Sequence, residues 1–588
     1  MMFHVFIGVC LLEVVAASTG RVWHPGTKIK EIVTREKSDL SSRVSTCTDD
    51  FTIRPLSGVC NNLDNPGWGA PLQDMRRIID AVYDDDKGKP RLDGLPSARA
   101  VSVACFPNDS DSTLEASLNQ LVMQWGQFMA HDYAGTPGTK GSGCCTGVNS
   151  SGKHPDYDSD GNCFPILIPS GDRYLNDCLP FSRSQSSPQN TSPREQFNIL
   201  TSYIDASTVY GGSDEELNEL RTKSGGLLKT TSGGNLLPTS EKTFCLLRNG
   251  DPKCPNAGDW RVNVFPGLTA THTLWVQQHN RLATGLGKEH PDWDDEILFE
   301  EARRIVIAAI QRITYEDWLP LILGDDFYHA FDLGTTYDYD ASVNPGLYNS
   351  FATAANRFGH SQLRATYNVK GFTNLKIQDM FMDVFYANNG IKEVFEGLLK
   401  DNSQKADDKI TNGLTDHLFE HVQTANGAKD LVSFNIQRGR DHGLPSYQAF
   451  RDKAMQFASD NSISITTPAV PPCASTVYSN TTSIDLYAGA MSETPVPGGL
   501  VGPTFAYIMG LQFCEIRSGD RFWYETTNTT IGFTSDQRDE ISKLTLSQVI
   551  CNNVGIDTIQ TDAFFVTDAA TNIEASCSSL GYFDFTKF

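Results

Sequence analysis

The sequence predicts a mainly α-helical fold with little β-structure, arranged as one large domain with long loops. Apolar residues recur at spacings of three and four along several stretches, the pattern of helices that bury one face. Alternation of apolar and polar residues, which marks a half-buried strand, is scarce, and the sequence shows no fixed-period repeat. No linker separates two differently patterned halves of the 588 residues, which favours one globular unit.

Three long helices support this interpretation. In the first, "LVMQWGQFMAHDY", the apolar spacing starts at Leu118 and a neighbouring stripe of glutamines ends at His131. "DEILFEEARRIVIAAIQRITYEDWLPLILG" predicts a second helix that Pro320 ends. "TATHTLWVQQHNRLATGLG" predicts a third, closed by Gly285 or Gly287 as a C-terminal cap. The segments between them are rich in Gly, Ser, Pro and Asp and are predicted to be loops.

The N-terminus has the pattern of a secreted protein. Residues 1–18 combine an apolar run with small residues that suit signal peptidase, and predict a signal peptide. Residues 19–46 are polar and have no pattern that would bury a face, so we interpret them as an N-terminal arm or propeptide. The folded domain is predicted over residues 47–588. No later stretch reaches the roughly 18 apolar residues of a membrane span, so no span is expected.

Cysteine content and charge agree with an extracellular location. Fourteen cysteines fit an oxidising compartment, where they form disulfides. A net charge of −23 argues against nucleic acid and anionic membranes as partners, because both are bound by cationic surfaces. Five Asn-x-Ser/Thr sequons are compatible with a glycoprotein, at Asn108, Asn149, Asn190, Asn480 and Asn528.

Two short motifs are similar to metal sites. "HLFEH", from His417 to His421, has the spacing of a zinc-binding helix, but it names no third ligand, and a solvated helix face is the preferred interpretation. "DYDSDGN", from Asp156, begins like a calcium loop. Its twelfth position is Leu167 instead of a glutamate, which favours an acidic surface loop.

A third motif, "LTSYIDASTVYGG", places oxygen-bearing residues at alternate positions. An extended segment with this pattern directs hydroxyl, carbonyl and carboxylate oxygens to one side, where they can bind a hard cation. Asp132, directly after His131, could supply a second carboxylate. Alone, the alternation is more typical of a turn or an edge strand. The residues concerned are Thr201, Tyr203, Asp205 and Ser207.

Histidines in apolar surroundings are usually core residues, and this holds for His131 and for His360 in "NRFGHSQLR" taken singly. The Arg and Asp cluster of "FNIQRGRDHGLPSY" is equally typical of an internal salt-bridge network. Several motifs taken together, in their order along the chain, are more specific for a protein family than any one of them. "MQWGQFMAHD", "TSYIDASTVYGG", "AGDWRVN", "RFGHS", "NIQRGRDHGLPSY" and "IRSGDRFWYE" resemble the animal haem peroxidase family from about Cys47 to Cys577.

The resemblance implies a single, mostly helical domain that holds haem b between helices, binds one Ca²⁺ beside the distal histidine and reduces hydrogen peroxide. On the distal side it implies that His131 is the acid–base histidine, Gln127 its hydrogen-bonding neighbour and Arg261 the distal arginine. A neutral histidine can take a proton from peroxide and return it to the departing oxygen, while an arginine stabilises the developing negative charge.

On the proximal side the resemblance implies His360 as the iron ligand, Asn435 as the acceptor of its other ring N–H, and Arg357 as a contact to a haem propionate. A hydrogen bond from the ligand's second nitrogen makes the imidazole a better electron donor. The implied calcium ligands are Asp132, Thr201, Tyr203 through its backbone carbonyl, Asp205 and Ser207. The cation would join the distal helix to the segment from 201 to 207.

Three positions depart from the mammalian members of the family. Where those have an aspartate and a glutamate esterified to haem, and in one case a methionine linked to it, this chain has Ala130, Val264 and Phe265. We therefore expect non-covalent haem, held by His360, propionate contacts and packing. Without the electron-withdrawing links the iron should be less oxidising, which favours phenols, tyrosyl groups, iodide or bromide over chloride.

The leading hypothesis is a secreted haem peroxidase that oxidises small aromatic donors, protein tyrosines or halides, for extracellular-matrix crosslinking or defence. The alternative is a catalytically weak haem-binding or extracellular-matrix structural protein on the same fold. A fatty-acid oxygenase needs a tyrosine three residues before the proximal histidine, where this chain has Arg357, so it is set aside.

The resemblance also implies disulfides. It pairs Cys47 with Cys60, Cys144 with Cys163, Cys145 with Cys178, Cys245 with Cys254, and Cys551 with Cys577. Cys473 with Cys514 is the expected sixth pair, which leaves Cys105 as a buried thiol or an intermolecular bridge.

Overall fold

The computed structural model describes residue 47 and residues 52–588, apart from residues 140–142, 156, 158–160, 175–176, 190, 232, 248–252, 370, 389, 423–426, 467–469 and 569. The predicted signal peptide and the predicted arm lie outside the described residues. So do the sequon at Asn190 and most of the acidic motif "DYDSDGN".

Helices dominate the described chain, as the sequence predicts. In chain order they are α1 Ala98–Cys105, α2 Leu121–Tyr133, α3 Ser207–Tyr210, α4 Asp214–Leu220, α5 Pro266–Glu289, α6 Asp295–Arg312, α7 Leu319–Ala330, α8 Asn349–Thr353, α9 Phe385–Asn388, α10 Ile391–Lys400, α11 Asn412–Thr415, α12 Leu431–Asp441, α13 Tyr447–Asp460, α14 Ala474–Val477, α15 Leu486–Met491, α16 Pro503–Ser518, α17 Ser535–Ile541 and α18 Leu546–Val554. A π-helix, Ile313–Trp318, joins α6 to α7, and 3₁₀ turns lie at Ala355–His360, Ile377–Asp379, Thr481–Ser483, Cys577–Ser579 and Phe585–Lys587.

The strands are short and form two-stranded antiparallel sheets. They are β1 Leu114–Asn119, β2 Ile166–Leu167, β3 Cys178–Leu179, β4 Thr239–Ser240, β5 Cys254–Pro255, β6 Thr366–Val369, β7 Phe372–Lys376, β8 Asn402–Gln404, β9 Thr558–Gln560 and β10 Glu574–Ser576. β1 pairs with β8, and the other strands pair with their neighbours in sequence. The small sheets hold the loops against the helices.

The boundaries of all three predicted long helices differ from the prediction. Leu118 belongs to β1, so the first helix begins at Leu121. Gly285 and Gly287 lie inside α5, which runs on to Glu289. Gly285 serves packing instead of capping, because a β-carbon there would lie 2.2 Å from the ring of Phe585.

Pro320 does not end the second helix. It occupies the first turn of α7, directly after the π-helix, where a missing N–H is tolerated. The break comes instead at Gly324, whose φ of 66° is left-handed. A β-carbon at Gly324 would lie 2.4 Å from the carbonyl oxygen of Pro497, so the two backbone segments can come this close only with glycine at position 324.

One large apolar core holds these helices together, and α2 lies in its middle. Trp125 of α2 packs against Trp275 of α5 with ring centroids 6.0 Å apart, and both indoles are buried. Trp318 donates its indole N–H to the carbonyl oxygen of Val122 at 2.9 Å, which fixes the π-helix against α2. Within the described residues, no helix has the length and apolar character needed to cross a membrane.

Five of the six expected disulfides are present: Cys47–Cys60, Cys144–Cys163, Cys145–Cys178, Cys245–Cys254 and Cys551–Cys577. The sixth expectation is wrong. Cys105, at the end of α1, is bonded to Cys473, and their Cα atoms are 5.2 Å apart, within disulfide reach. Cys514 of α16 is the free thiol among the described cysteines, and burial raises its pKa.

Cys473→Ser is expected to lower the free energy of unfolding by about 2–5 kcal/mol, because the lost bond joins residues 368 positions apart. Denaturant unfolding measures the loss. Cys514→Ser is the matched control, since it removes a thiol that forms no disulfide. Mass spectrometry of unreduced peptides that linked Cys473 to Cys514 would contradict the assignment.

Candidate active site

The two predicted haem-side histidines line one cavity, whose empty space, counted out to the open solvent, is about 810 Å³. His131 comes from the C-terminal part of α2, and His360 ends the 3₁₀ turn Ala355–His360. Other lining residues are mostly apolar and include Val122, Met123, Gly126, Gln127, Ala130, Val264, Arg357, Phe358, Phe381, Leu418 and Phe419.

His360 is held by Asn435 of α12. The amide nitrogen of Asn435 lies 2.8 Å from His360 Nδ1, and its Oδ1 accepts a hydrogen bond from Arg357 Nη1 at 2.8 Å. Nε2 is the ring nitrogen outside this contact, and a metal there would require the ring proton on Nδ1 with the amide oxygen of Asn435 turned toward it. Burial, together with the charge of Arg357, lowers the pKa of His360 to about 3, so the ring is neutral, as metal ligation requires.

This geometry differs in one respect from the predicted role of Asn435. The sequence interpretation made it an acceptor for the ring N–H, whereas its amide nitrogen faces the ring. Arg357 explains the difference, because a guanidinium can only donate and therefore takes the amide oxygen. Arg357 lines the cavity as predicted for a propionate contact, and it also orients Asn435.

His131 is buried and neutral. Burial, and after it the positive charge of Arg261, lowers its pKa well below the usual range. Its Nδ1 lies 3.8 Å from an Asp259 carboxylate oxygen and has no hydrogen-bond partner among the described residues. Gln127, one helical turn earlier, also lines the cavity, and its amide oxygen accepts a hydrogen bond from Gln124 at 3.2 Å. A neutral imidazole with a free nitrogen can accept a proton.

Arg261 lies beside His131 but outside the described lining of the cavity. It donates to the carbonyl oxygens of His131 and Ala134 at 3.0 and 2.9 Å. Its Nε and Nη2 donate to Asp259 at 2.8 and 2.7 Å. Burial alone would raise the pKa of Asp259, but the charge of Arg261 outweighs it and holds that pKa below the usual range.

Asp259 was not singled out in the sequence, although it stands in the motif "AGDWRVN". A carboxylate two residues before an arginine is common on protein surfaces and indicates nothing by itself. Here both side chains are buried, so the pair fixes the guanidinium direction. The burial of Asp259 and Arg261 depends on the tertiary structure, so the sequence alone could not indicate that this pair matters.

The predicted calcium residues also come together. Asp132 accepts hydrogen bonds from the backbone N–H groups of Asp205 and Thr208 at 3.1 and 3.2 Å, and from Ser207 Oγ. Thr201 Oγ1 donates to Asp205 at 2.7 Å. The segment is a loop that leads into α3, so the extended conformation assumed for it is wrong.

Two features make this cluster suitable for a cation. Asp132 and Asp205 are both buried, and burial together with their like charge raises the pKa of Asp132 to about 7. A bound divalent cation would offset that repulsion. Tyr203 donates its hydroxyl to the Trp68 carbonyl at 2.8 Å, so its side chain is engaged away from the carboxylates.

The segment "HLFEH" does not form the helix assumed for it. It lies in turns after α11, where His417 contacts Glu420 and His421 donates to the Phe381 carbonyl at 2.9 Å. Throughout the described part of the chain, no three His, Cys, Asp or Glu side chains are grouped to hold a metal. The cluster around Asp132 has two carboxylates and otherwise offers hydroxyl and carbonyl oxygens.

Comparison with known proteins agrees with the architecture. Residues 53–564 match the animal haem peroxidase profile. The chain is 34% identical to the human peroxidasin homolog, over 90% of this chain and 38% of that protein. It is 33% identical to rat thyroid peroxidase, over 90% and 62%, and 34% identical to peroxidase mlt-7 of Caenorhabditis elegans, over 91% and 73%. The chain thus spans well under two thirds of the peroxidasin homolog.

Solved structures show the same fold. Peroxidase A from Dictyostelium discoideum superimposes with a TM-score of 0.70 at 29% identity, over 86% of this chain and 97% of that one. The fatty acid alpha-dioxygenase of Oryza sativa reaches 0.70 at 18% identity, over 89% of each chain, which is a likeness of fold alone. With the family profile covering most of its length, this chain belongs to the animal haem peroxidase family.

Proposed function

We propose that this chain is a secreted haem peroxidase that reduces hydrogen peroxide and oxidises phenolic or tyrosyl donors, iodide or bromide. One observation carries the proposal: His131 and His360, from two separate elements, line a single cavity. Burial lowers the pKa of both histidines, so both rings are neutral.

The residues present fit haem. Apolar side chains form most of the cavity wall, which suits a flat macrocycle, and Arg357 offers a cation for a propionate. His360 would bind the iron through Nε2, with Asn435 behind it. When bound, the haem supplies the iron that takes up the oxidising equivalents of peroxide and passes them to donors one electron at a time.

The distal residues handle the proton. His131 accepts a proton from hydrogen peroxide and returns it to the oxygen that leaves as water, which a neutral buried imidazole is suited to do. Gln127 offers a hydrogen bond on the same face of α2. Arg261 adds fixed positive charge next to the main chain of His131, and Asp259 holds it in place.

Ala130 and Val264 both line the cavity, and neither side chain can form an ester with haem. Acidified organic solvent is therefore expected to extract all haem from the wild type. The variant Ala130→Asp with Val264→Glu supplies the missing carboxylates and is the matched comparison, expected to retain haem after peroxide treatment. Absorption spectra before and after extraction measure both. Haem that stays with the wild-type protein would contradict the non-covalent assignment.

We propose Ca²⁺ at Asp132, Thr201, Tyr203, Asp205 and Ser207. Asp205→Ala is expected to lose bound calcium and to lower Tm, because ligand at about 100 times its Kd stabilises by about 2.7 kcal/mol. Elemental analysis and thermal unfolding measure these effects. The control is Asp340→Asn, which alters an exposed carboxylate that bonds only Ser342. Equal calcium content in wild type and Asp205→Ala would contradict the site.

Extracellular location is supported by six disulfides among the described residues. Exposed sequons support glycosylation, at Asn108, Asn149, Asn480 and Asn528. Matrix proteins are the proposed macromolecular partners, as tyrosyl donors.

A catalytically weak haem-binding or matrix protein is the second candidate. The ion pair between Arg261 and Asp259 favours this candidate, because it directs the guanidinium away from the cavity. Guaiacol and iodide oxidation by the haem-loaded wild type separates the two. Peroxide-dependent turnover of either donor supports the peroxidase, whereas bound haem without turnover supports the second candidate.

A further inference from the structure

A line of oxidisable aromatic side chains begins directly behind the wall of the haem cavity. Gly126 lines that cavity, and a β-carbon added to it would lie 3.1 Å from Cζ2 of Trp318. The Trp318 indole also donates to the Val122 carbonyl at 2.9 Å, and Val122 is another lining residue. Trp318 is therefore in contact with the back of the cavity wall.

The rings continue from Trp318 in short steps. Phe513 lies between Trp318 and Tyr315, with ring centroids 6.3 and 5.9 Å away. Tyr315 meets Trp523 edge-on at 4.7 Å, and Trp523 lies 5.6 Å from Tyr524. All five side chains are buried. Electron transfer between aromatic rings is fast over such separations. Phe513 itself is not readily oxidised, so it fills the space between Trp318 and Tyr315, and the electron steps between the Trp and Tyr rings.

The two outer members each donate a hydrogen bond to a carboxylate. The hydroxyl of Tyr524 donates to Glu316 at 2.6 Å, and the indole N–H of Trp523 donates to Glu525 at 2.8 Å. A phenol or indole that loses an electron becomes a strong acid, and a nearby carboxylate takes up its proton. Tyr337, which also packs on Trp523, donates to a backbone carbonyl instead.

The π-helix Ile313–Trp318 organises this arrangement. It carries Tyr315 and Trp318 of the series as well as Glu316, the acceptor for Tyr524. Glu316 is also ion-paired with Arg312 at 3.1 Å. π-helical turns are rare and frequently occur at functional sites, because they displace side chains from regular helical positions.

The series ends at a second, open cavity, which Trp523 and Tyr524 line and whose empty space, counted out to the open solvent, is about 990 Å³. Ile53 and Ile297 line it as well and are about half exposed, so it is open to solvent. Its wall combines aromatic and aliphatic side chains with charged ones, among them Glu300, Glu301 and Arg303, and Arg304 stacks on Phe533. The aromatic part of the wall suits a phenolic ring.

We propose that Trp318, Tyr315, Trp523 and Tyr524 form an electron relay that oxidises phenolic donors bound in the second cavity, tyrosyl side chains of other proteins among them. The proposal rests on the peroxidase function proposed above. It adds a donor site for substrates that are too large for the haem cavity.

Tyr524 gives an electron to Trp523 and its phenolic proton to Glu316, and the donor phenol then gives Tyr524 an electron while the proton returns from Glu316. The donor's own proton is released to solvent. The relay passes each electron on to the haem. Over two such cycles, one hydrogen peroxide gains two electrons and two protons and becomes two waters, and two phenols become phenoxyl radicals.

Radical trapping locates the relay without measuring turnover. Haem-loaded wild type is treated with hydrogen peroxide and 2-methyl-2-nitrosopropane, and the adducts are mapped by mass spectrometry. Adducts on Tyr524 are expected, and they should be lost in Tyr524→Phe and reduced in Glu316→Gln. Tyr337→Phe is the matched control and should keep them. Wild-type adducts confined to residues outside the relay would overturn the proposal.

Donor size gives the second readout. Tyramine coupled to a large dextran cannot enter the haem cavity, whereas iodide can. Tyr524→Phe is expected to lower oxidation of the dextran-bound phenol about tenfold while iodide oxidation continues. Thermal unfolding confirms that the variant is folded. A wild type that oxidises neither guaiacol nor iodide refutes the peroxidase proposal itself, whereas a Tyr524→Phe that oxidises both the dextran-bound phenol and iodide at the wild-type rate refutes the relay alone.

Discussion

Replacing His131 by alanine is expected to lower the rate constant for reaction with hydrogen peroxide by about 10²–10⁴-fold, the usual contribution of a positioned acid–base group. The reason is that His131 is a neutral, buried histidine that lines the cavity. Haem binding should persist, because His360 is untouched. Stopped-flow absorbance after mixing with peroxide measures the rate.

The matched control is His329→Ala, because His329 is exposed on α7, outside the cavity lining. It should react at the wild-type rate. A His131→Ala protein that binds haem and reacts with peroxide as fast as the wild type would show that His131 is a structural residue of α2.

Replacing His360 is expected to have the other large effect, the loss of the iron ligand. His360→Gly should bind haem weakly and lose the wild-type Soret maximum, since packing and the Arg357 contact alone would hold the macrocycle. Added imidazole should restore the spectrum, because it can occupy the space of the missing ring. Absorption spectra with and without imidazole measure both effects. An unchanged Soret band in His360→Gly would contradict the assignment.

Asn435 and Arg357 illustrate the reach and the limit of the sequence. The motifs "RFGHS" and "NIQRGRDHGLPSY" were sufficient to associate His360 with Asn435 across 75 positions, and the structure places them 2.8 Å apart. The direction of that hydrogen bond could not be predicted. It depends on Arg357 also reaching the amide oxygen, a contact among three side chains that no motif encodes.

The helical class followed from local periodicity, but the helix boundaries depended on tertiary contacts. Pro320 is a reliable helix breaker in isolation, yet here the π-helix before it makes it the start of a new turn. Cys105 could not be paired from spacing, because its partner is 368 residues away and local loop closure gives no information at that distance.

Titration of the purified wild type with haemin determines whether the cavity between His131 and His360 holds one catalytic haem. The predicted result is a Soret band that saturates at one haem per chain, with peroxide-dependent guaiacol oxidation that rises in proportion. A Soret band that never saturates, or saturation without guaiacol oxidation, would contradict it.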